Sequence, residues 1–75
     1  MNKMKQATIP LNYESYMLLK ELTPIIEDEQ EIGGMFHITM TEQQMSEAMY
    51  FMDGKEEYKP LKDWMQKIGE EQLGW

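Results

Sequence analysis

Cysteine and arginine are both missing from this chain of 75 residues, whose seven basic side chains are all lysine. Without cysteine there is no disulfide framework and no thiolate chemistry, and the lack of cysteine fits a reducing compartment. Arginine is the preferred side chain for base edges and for paired contacts with phosphate. Its absence therefore disfavours direct nucleic-acid binding.

Long apolar runs are also absent, since none approaches the roughly 20 residues that a membrane-spanning helix needs. The first five residues include two lysines, but no apolar segment follows them, so no signal peptide is expected. The sequence predicts a soluble, cytoplasmic protein. Its length predicts one small domain over residues 1–75, with flexible tails at 1–4 and 70–75 unless Leu73 and Trp75 dock.

Negative charge is plentiful and unevenly placed. The formal net charge is −7. Residues 23–54 contain seven acidic residues and no lysine, whereas the segments before and after them nearly balance. A surface with this charge favours a basic partner surface over nucleic acid.

The clearest local pattern lies in residues 33–52. Phe36, Ile38 and Met40 alternate with polar residues after a Gly-Gly pair, which predicts a strand near 35–40 with one buried face. Thr41 followed by Gln44 is a capping-box pattern. It predicts a helix over 42–52 whose buried face carries four residues at helical spacing, namely Met45, Ala48, Met49 and Met52.

Similar signals place the other elements. Alternation predicts a first strand near 5–11, at a sheet edge because Pro10 cannot donate a hydrogen bond to a ladder. Asn12 is a good N-cap for a helix over 13–22, and Lys59-Pro60 opens a helix over 60–68 with Gly69 as C-cap. Thr23-Pro24 predicts a further helix that ends at Ile32-Gly33.

These elements predict an α+β fold. A two-stranded sheet, with strands near 5–11 and 35–40, is packed on one face by three to four short helices. Because each strand is followed by a helix, we expect the strands to be parallel, with a right-handed crossover.

Catalytic and metal sites are not predicted. His37 is the single histidine and has no evident nucleophile to pair with, so a surface residue is the favoured interpretation. The acidic run 27–31 is predicted to be helical, which would spread its carboxylates around the helix axis instead of gathering them around a cation. No cofactor is implied, and an enzyme is disfavoured.

Exposed aromatic and methionine side chains are the best candidates for contact area. Tyr13, Tyr16 and Met17 share a helix face that is more apolar than an ordinary solvent face. Tyrosine and methionine are both common at binding surfaces. The alternatives are that these residues cover a second sheet face or form a dimer contact, so a homodimer stays open.

Gln6 to Leu11, followed by the Asn12-capped helix, resembles the opening of a ribbon-helix-helix repressor over about fifteen residues. The resemblance implies a DNA-binding transcription regulator, which is the alternative prediction for function.

The favoured prediction is a small acidic regulator or inhibitor that binds a basic surface of another protein, with no direct nucleic-acid or membrane partner. In composition it resembles small acidic inhibitors that mimic nucleic-acid charge, including phage-encoded ones. Acids would steer association and aromatic contacts would supply affinity. The predicted partner-binding residues are Glu27, Asp28, Glu29, Glu31, Glu42, Glu47, Tyr13, Tyr16 and Met17.

Overall fold

A computed structural model describes residues 5–23 and 28–75 of the chain. Within them the elements follow in the order β1 (Gln6–Leu11), α1 (Tyr13–Leu22), β2 (Glu29–Ile32), β3 (Met35–Thr41), α2 (Glu42–Met52), a 3₁₀ turn (Glu56–Tyr58) and α3 (Lys59–Gln72). The fold is a small α+β fold, which confirms the predicted class.

The sheet has three strands in the order β1-β3-β2, so the prediction of two strands is wrong in number. Both outer strands run antiparallel to β3, with Ile9 opposite Ile38 and Glu31 opposite Phe36. The predicted parallel pairing of β1 with β3 is also wrong. A connection between parallel strands does exist, but it joins β1 through α1 to β2, and β3 occupies the place between them.

The strand β2 replaces part of a predicted helix. Residues 29–32 pair with β3 through a two-residue turn at Gly33 and Gly34, whose φ angles are 60° and 84°. Positive φ at both central positions is the conformation that suits a tight hairpin. Pairing with β3 satisfies the backbone and overrides the local helical tendency of the acidic run. The predicted start of that helix, at residues 24–27, lies outside the described residues.

Capping chemistry explains why α1 and α2 begin where the sequence predicts. The Ser15 amide donates to Asn12 Oδ1 over 2.8 Å at the start of α1. At the start of α2, the Gln44 amide donates to Thr41 Oγ1 over 3.1 Å, and the Thr41 amide donates to Gln44 Oε1 over 2.8 Å. The predicted capping box and both pairs of helix bounds are therefore confirmed.

The core lies between one face of the sheet and the three helices. It contains Ala7, Ile9, Leu11, Tyr16, Leu19, Ile38, Met40, Met45, Ala48, Met49, Met52, Tyr58, Leu61, Met65, Ile68 and Leu73. On the opposite face, Thr8, His37 and Thr39 are half-buried or exposed. The helices accordingly pack against a single face, as predicted.

The C-terminal helix continues beyond its predicted end at residue 68. Gly69, the predicted C-cap, is buried inside α3, and the indole of Trp75 folds back over it. Leu73 is buried, and the Trp75 amide donates to the Gly69 carbonyl over 3.2 Å. Leu73 and Trp75 therefore dock on the body, which is the condition under which residues 70–75 are not expected to form a flexible tail.

The outer edge of β1 is covered by α3. The Thr8 amide donates to Gln72 Oε1 and the Gln72 amide group donates to the Thr8 carbonyl, both over 2.9 Å. The Trp64 indole donates to the Pro10 carbonyl over 2.8 Å. Because Pro10 has no N–H, this edge presents few free backbone groups, and the predicted edge position of β1 is confirmed.

Candidate partner-binding surface

Three of the six acidic residues of the middle segment that the structure describes lie in or beside β2. Asp28, Glu29 and Glu31 are all exposed, at or beside the outer edge of the sheet. Side chains alternate along a strand, so Glu29 and Glu31 lie on the same face as their cross-strand partners, Ile38 and Phe36. That face carries the helices. Glu27 lies outside the described residues.

Tyr16 lies beneath this acidic strand and is itself buried, at 7% exposure. Its ring stacks on Phe36 with centroids 4.1 Å apart and planes 6° from parallel. Its hydroxyl donates a hydrogen bond to the Glu29 carboxylate. The interpretation of Tyr16 as exposed contact area is therefore wrong. Tyr16 is a buried residue that packs against Phe36 and fixes the position of the Glu29 carboxylate.

Tyr13 and Met17 are exposed as predicted, at 62% and 41%. They are four residues apart on α1 and so neighbour each other on the helix surface. The Tyr13 ring lies 6.3 Å from the half-buried ring of Phe36. Phe36 thereby joins the helix side chains to β2. We call the set Tyr13, Met17, Phe36, Glu29 and Glu31 the acidic–aromatic surface.

A lysine borders this surface. Lys20 Nζ lies 5.0 Å from the centroid of the Tyr16 ring, a cation–π arrangement. The neighbouring Tyr16 side chain and, to a lesser extent, the Glu29 carboxylate raise the pKa of Lys20 above its ordinary value. Lys20 stays charged and offsets part of the negative charge of Glu29. Glu31 lies two residues further along β2, opposite Phe36 in the register.

The two acids predicted on α2 do not have equivalent environments. Glu42 is half-buried and its Oε1 accepts from the Trp75 indole over 3.2 Å, so it helps to hold the C-terminal segment. Glu47 is exposed and accepts from Gln43 over 3.3 Å. Neither makes a hydrogen bond to the acidic–aromatic surface in the described part of the chain.

A second exposed aromatic pair was missed by the sequence analysis. Tyr50 and Phe51 are 77% and 57% exposed, and their rings meet edge to face at 5.9 Å. The signal was available, because both residues fall off the buried helical face of α2 defined by Met45 and Met49. Phe36 was missed for the opposite reason: alternation assigns it to the core, whereas in the structure it is half-buried and contributes to the surface.

Residues 5–23 and 28–75 were compared with the requirements of a metal site and of a membrane-spanning helix. Among these residues, no group of three or more histidine and acidic side chains is placed to hold a metal ion. In the same part of the chain, no helix combines the length and apolar character needed to cross a membrane. Comparison of the chain with protein-family models, curated proteins and solved structures found no match.

Proposed function

We propose that this chain is a small acidic binding protein, a regulator or inhibitor that occupies a basic surface of a partner protein. The observation that carries the proposal is the position of Phe36, which lies opposite Glu31 in the register and has its ring centroid 6.3 Å from that of the exposed Tyr13. Charged groups near aromatic anchors are the combination in which charge accelerates encounter and apolar contact prolongs residence.

The partner surface that best complements this chain is one that binds nucleic acid, because such surfaces are rich in lysine and arginine. With a formal net charge of −7, the chain would be drawn to the same residues as a phosphate backbone. In this proposal it acts as a charge mimic of the phage-encoded inhibitor type, by occupancy and without catalysis.

The ribbon-helix-helix alternative requires an N-terminal strand that is free to form a ribbon with a second copy. Here β1 pairs with β3 on one side. On the other side its backbone is bonded by Gln72 and Trp64. Both edges of β1 are occupied, so the contacts favour the protein-binding proposal over the alternative.

The test begins with capture of partners from a lysate by tagged full-length protein, followed by binding kinetics with the recovered protein. Asp28→Lys with Glu31→Lys should slow association about tenfold at low salt and flatten its salt dependence. Glu70→Lys with Glu71→Lys is the matched control, because it changes net charge equally on the exposed side of α3. Equal association rates for both variants and the wild type would refute the assigned surface.

Contact anchors are tested separately. Tyr13→Ala with Met17→Ala should speed dissociation about tenfold and leave association nearly unchanged. Tyr50→Ala with Phe51→Ala removes the other exposed apolar pair and is its control. Faster dissociation of the control alone would move the contact to α2.

The wild-type protein should not retard DNA or RNA in a gel-shift assay near physiological salt. Tight, salt-sensitive binding of nucleic acid would instead support the transcription-regulator alternative.

A further inference from the structure

The two outer edges of the sheet differ in how their backbone groups are satisfied. At β1, Gln72 and Trp64 bond the outward groups of Thr8 and Pro10. At β2, the Thr39 amide donates to the Asp28 carbonyl over 2.9 Å, so alternate residues from 28 onward bond to β3. The amides and carbonyls of Glu29 and Glu31 therefore point away from β3, and within residues 5–23 and 28–75 no group bonds to them.

We propose that this free edge of β2 binds an extended segment of the partner protein, which adds as a fourth strand and carries lysine or arginine at every second position. The inference rests on the proposed function and specifies how the partner is held. Strand addition uses backbone hydrogen bonds for affinity and alternate side chains for specificity. An added strand would place its alternate side chains beside Glu29 and Glu31, which share one face of β2.

Charge selects this occupant over a second copy of the chain. Pairing β2 with another β2 would set the carboxylates of Glu29 and Glu31 against those of the second copy, and like charges in cross-strand positions are destabilising. The same repulsion protects the free edge from self-association. A segment with cations at every second position converts these contacts into attractive ones. Tyr16 supports this arrangement because its buried hydroxyl fixes the Glu29 carboxylate beside the edge.

The first experiment uses hydrogen exchange of the full-length, isotope-labelled protein with a blocked synthetic peptide in which lysine alternates with valine. Saturating peptide should slow exchange of the Glu29 and Glu31 amides at least about tenfold. The amides of Gln30 and Ile32, which already face β3, serve as internal controls and should change little. A peptide of the same sequence with N-methyl groups on alternate backbone nitrogens keeps its charge but cannot complete the ladder, so it should give no protection.

Two substitutions at one position separate the backbone from the charge. Glu31→Gln removes the carboxylate and keeps the N–H, whereas Glu31→Pro removes both at a position where the N–H does not bond β3. We expect the proline variant to bind the peptide at least about tenfold more weakly than the glutamine variant. The protection data on the wild-type chain keep the inference testable if the proline variant folds poorly.

The inference is overturned if the peptide leaves the Glu29 and Glu31 amides unprotected, or if the N-methylated peptide protects them equally. Either result leaves the proposed function standing, provided that Asp28→Lys with Glu31→Lys still slows association with the captured partner. Failure of the proposed function has a different signature, namely unchanged association rates in that variant.

Discussion

Replacing Gly69 with alanine tests whether Trp75 docks on α3 as the structure describes. A Cβ atom at position 69 would lie 2.6 Å from Cδ2 and 2.7 Å from Cζ3 of the Trp75 ring, inside the 3.0 Å that real Cβ contacts respect. The indole must therefore move. Because Trp75 lies beyond the end of α3 at Gln72, the ring can leave its site without breaking the helix, and the alanine variant should fold.

The magnitude follows from two opposing effects. Alanine in place of glycine inside a helix stabilises by about 1 kcal/mol. An indole side chain has roughly 200 Å² of surface. Loss of about half of that burial, at about 25 cal/mol per Å², costs about 2.5 kcal/mol. Gly69→Ala should thus lower the free energy of unfolding by about 1.5 kcal/mol in the wild-type background.

The assay is urea denaturation of four proteins that form a double-mutant cycle: wild type, Gly69→Ala, Trp75→Ala and the double variant. Without the indole, Gly69→Ala meets no ring and should stabilise by about 1 kcal/mol, so the sign of its effect reverses between backgrounds. If Gly69→Ala stabilises both backgrounds equally, Trp75 does not rest on α3 in solution and residues 70–75 are the loose tail that composition alone suggests.

Two further predictions concern the β1 edge and the turn between α2 and α3. Trp64→Phe should lower the free energy of unfolding by about 1 kcal/mol, because it removes the hydrogen bond from the indole to the Pro10 carbonyl. Trp64→Ala should lower it by about 3 kcal/mol. Equal urea midpoints for Trp64→Phe and wild type would show that this hydrogen bond contributes nothing. Lys62 donates to Asp53 over 2.7 Å, which lowers the pKa of the Asp53 carboxyl, so this pair stabilises the fold above the unfolded pKa of about 4 and stops doing so as pH falls through the folded value. Melting curves of wild type and Asp53→Asn should therefore separate above about pH 4 and converge as pH falls through the lower, folded pKa of Asp53, and a constant difference across that range would contradict the assignment.

Local chemistry was sufficient to predict the bounds of α1 and α2 and the places of β1 and β3. Asn12 and the Thr41–Gln44 capping box fixed where α1 and α2 begin, because a cap satisfies backbone N–H groups through residues at most three positions away. The buried face of α2 was also predictable, since helical spacing places Met45 and Met49 on one side. The edge position of β1 followed from Pro10, which lacks the N–H that a central strand needs.

The candidate surface was predicted only as separate parts. The sequence indicated that the acidic segment and the Tyr13–Met17 face were each candidates, but nothing in their spacing shows that they meet. Phe36 brings them together through its stack on Tyr16 and its place opposite Glu31 in the register. The same contacts removed Tyr16 from the exposed set, because helical position alone does not tell which of two adjoining faces a neighbouring strand will cover.

By itself, the sequence determined the charge, the caps and the apolar faces of α2 and β3, all of which depend on residues close in the chain. The tertiary structure decided the rest. Residues 29–32 form a strand because their backbone groups hydrogen-bond with β3. All four residues are exposed, so no alternation of buried and exposed positions could reveal this strand from the sequence. Gly69 became a packing site because Trp75 returns to it. Both outcomes depend on partners that only the folded chain brings within reach, and local propensity yields to such pairing when it buries apolar surface or satisfies the backbone.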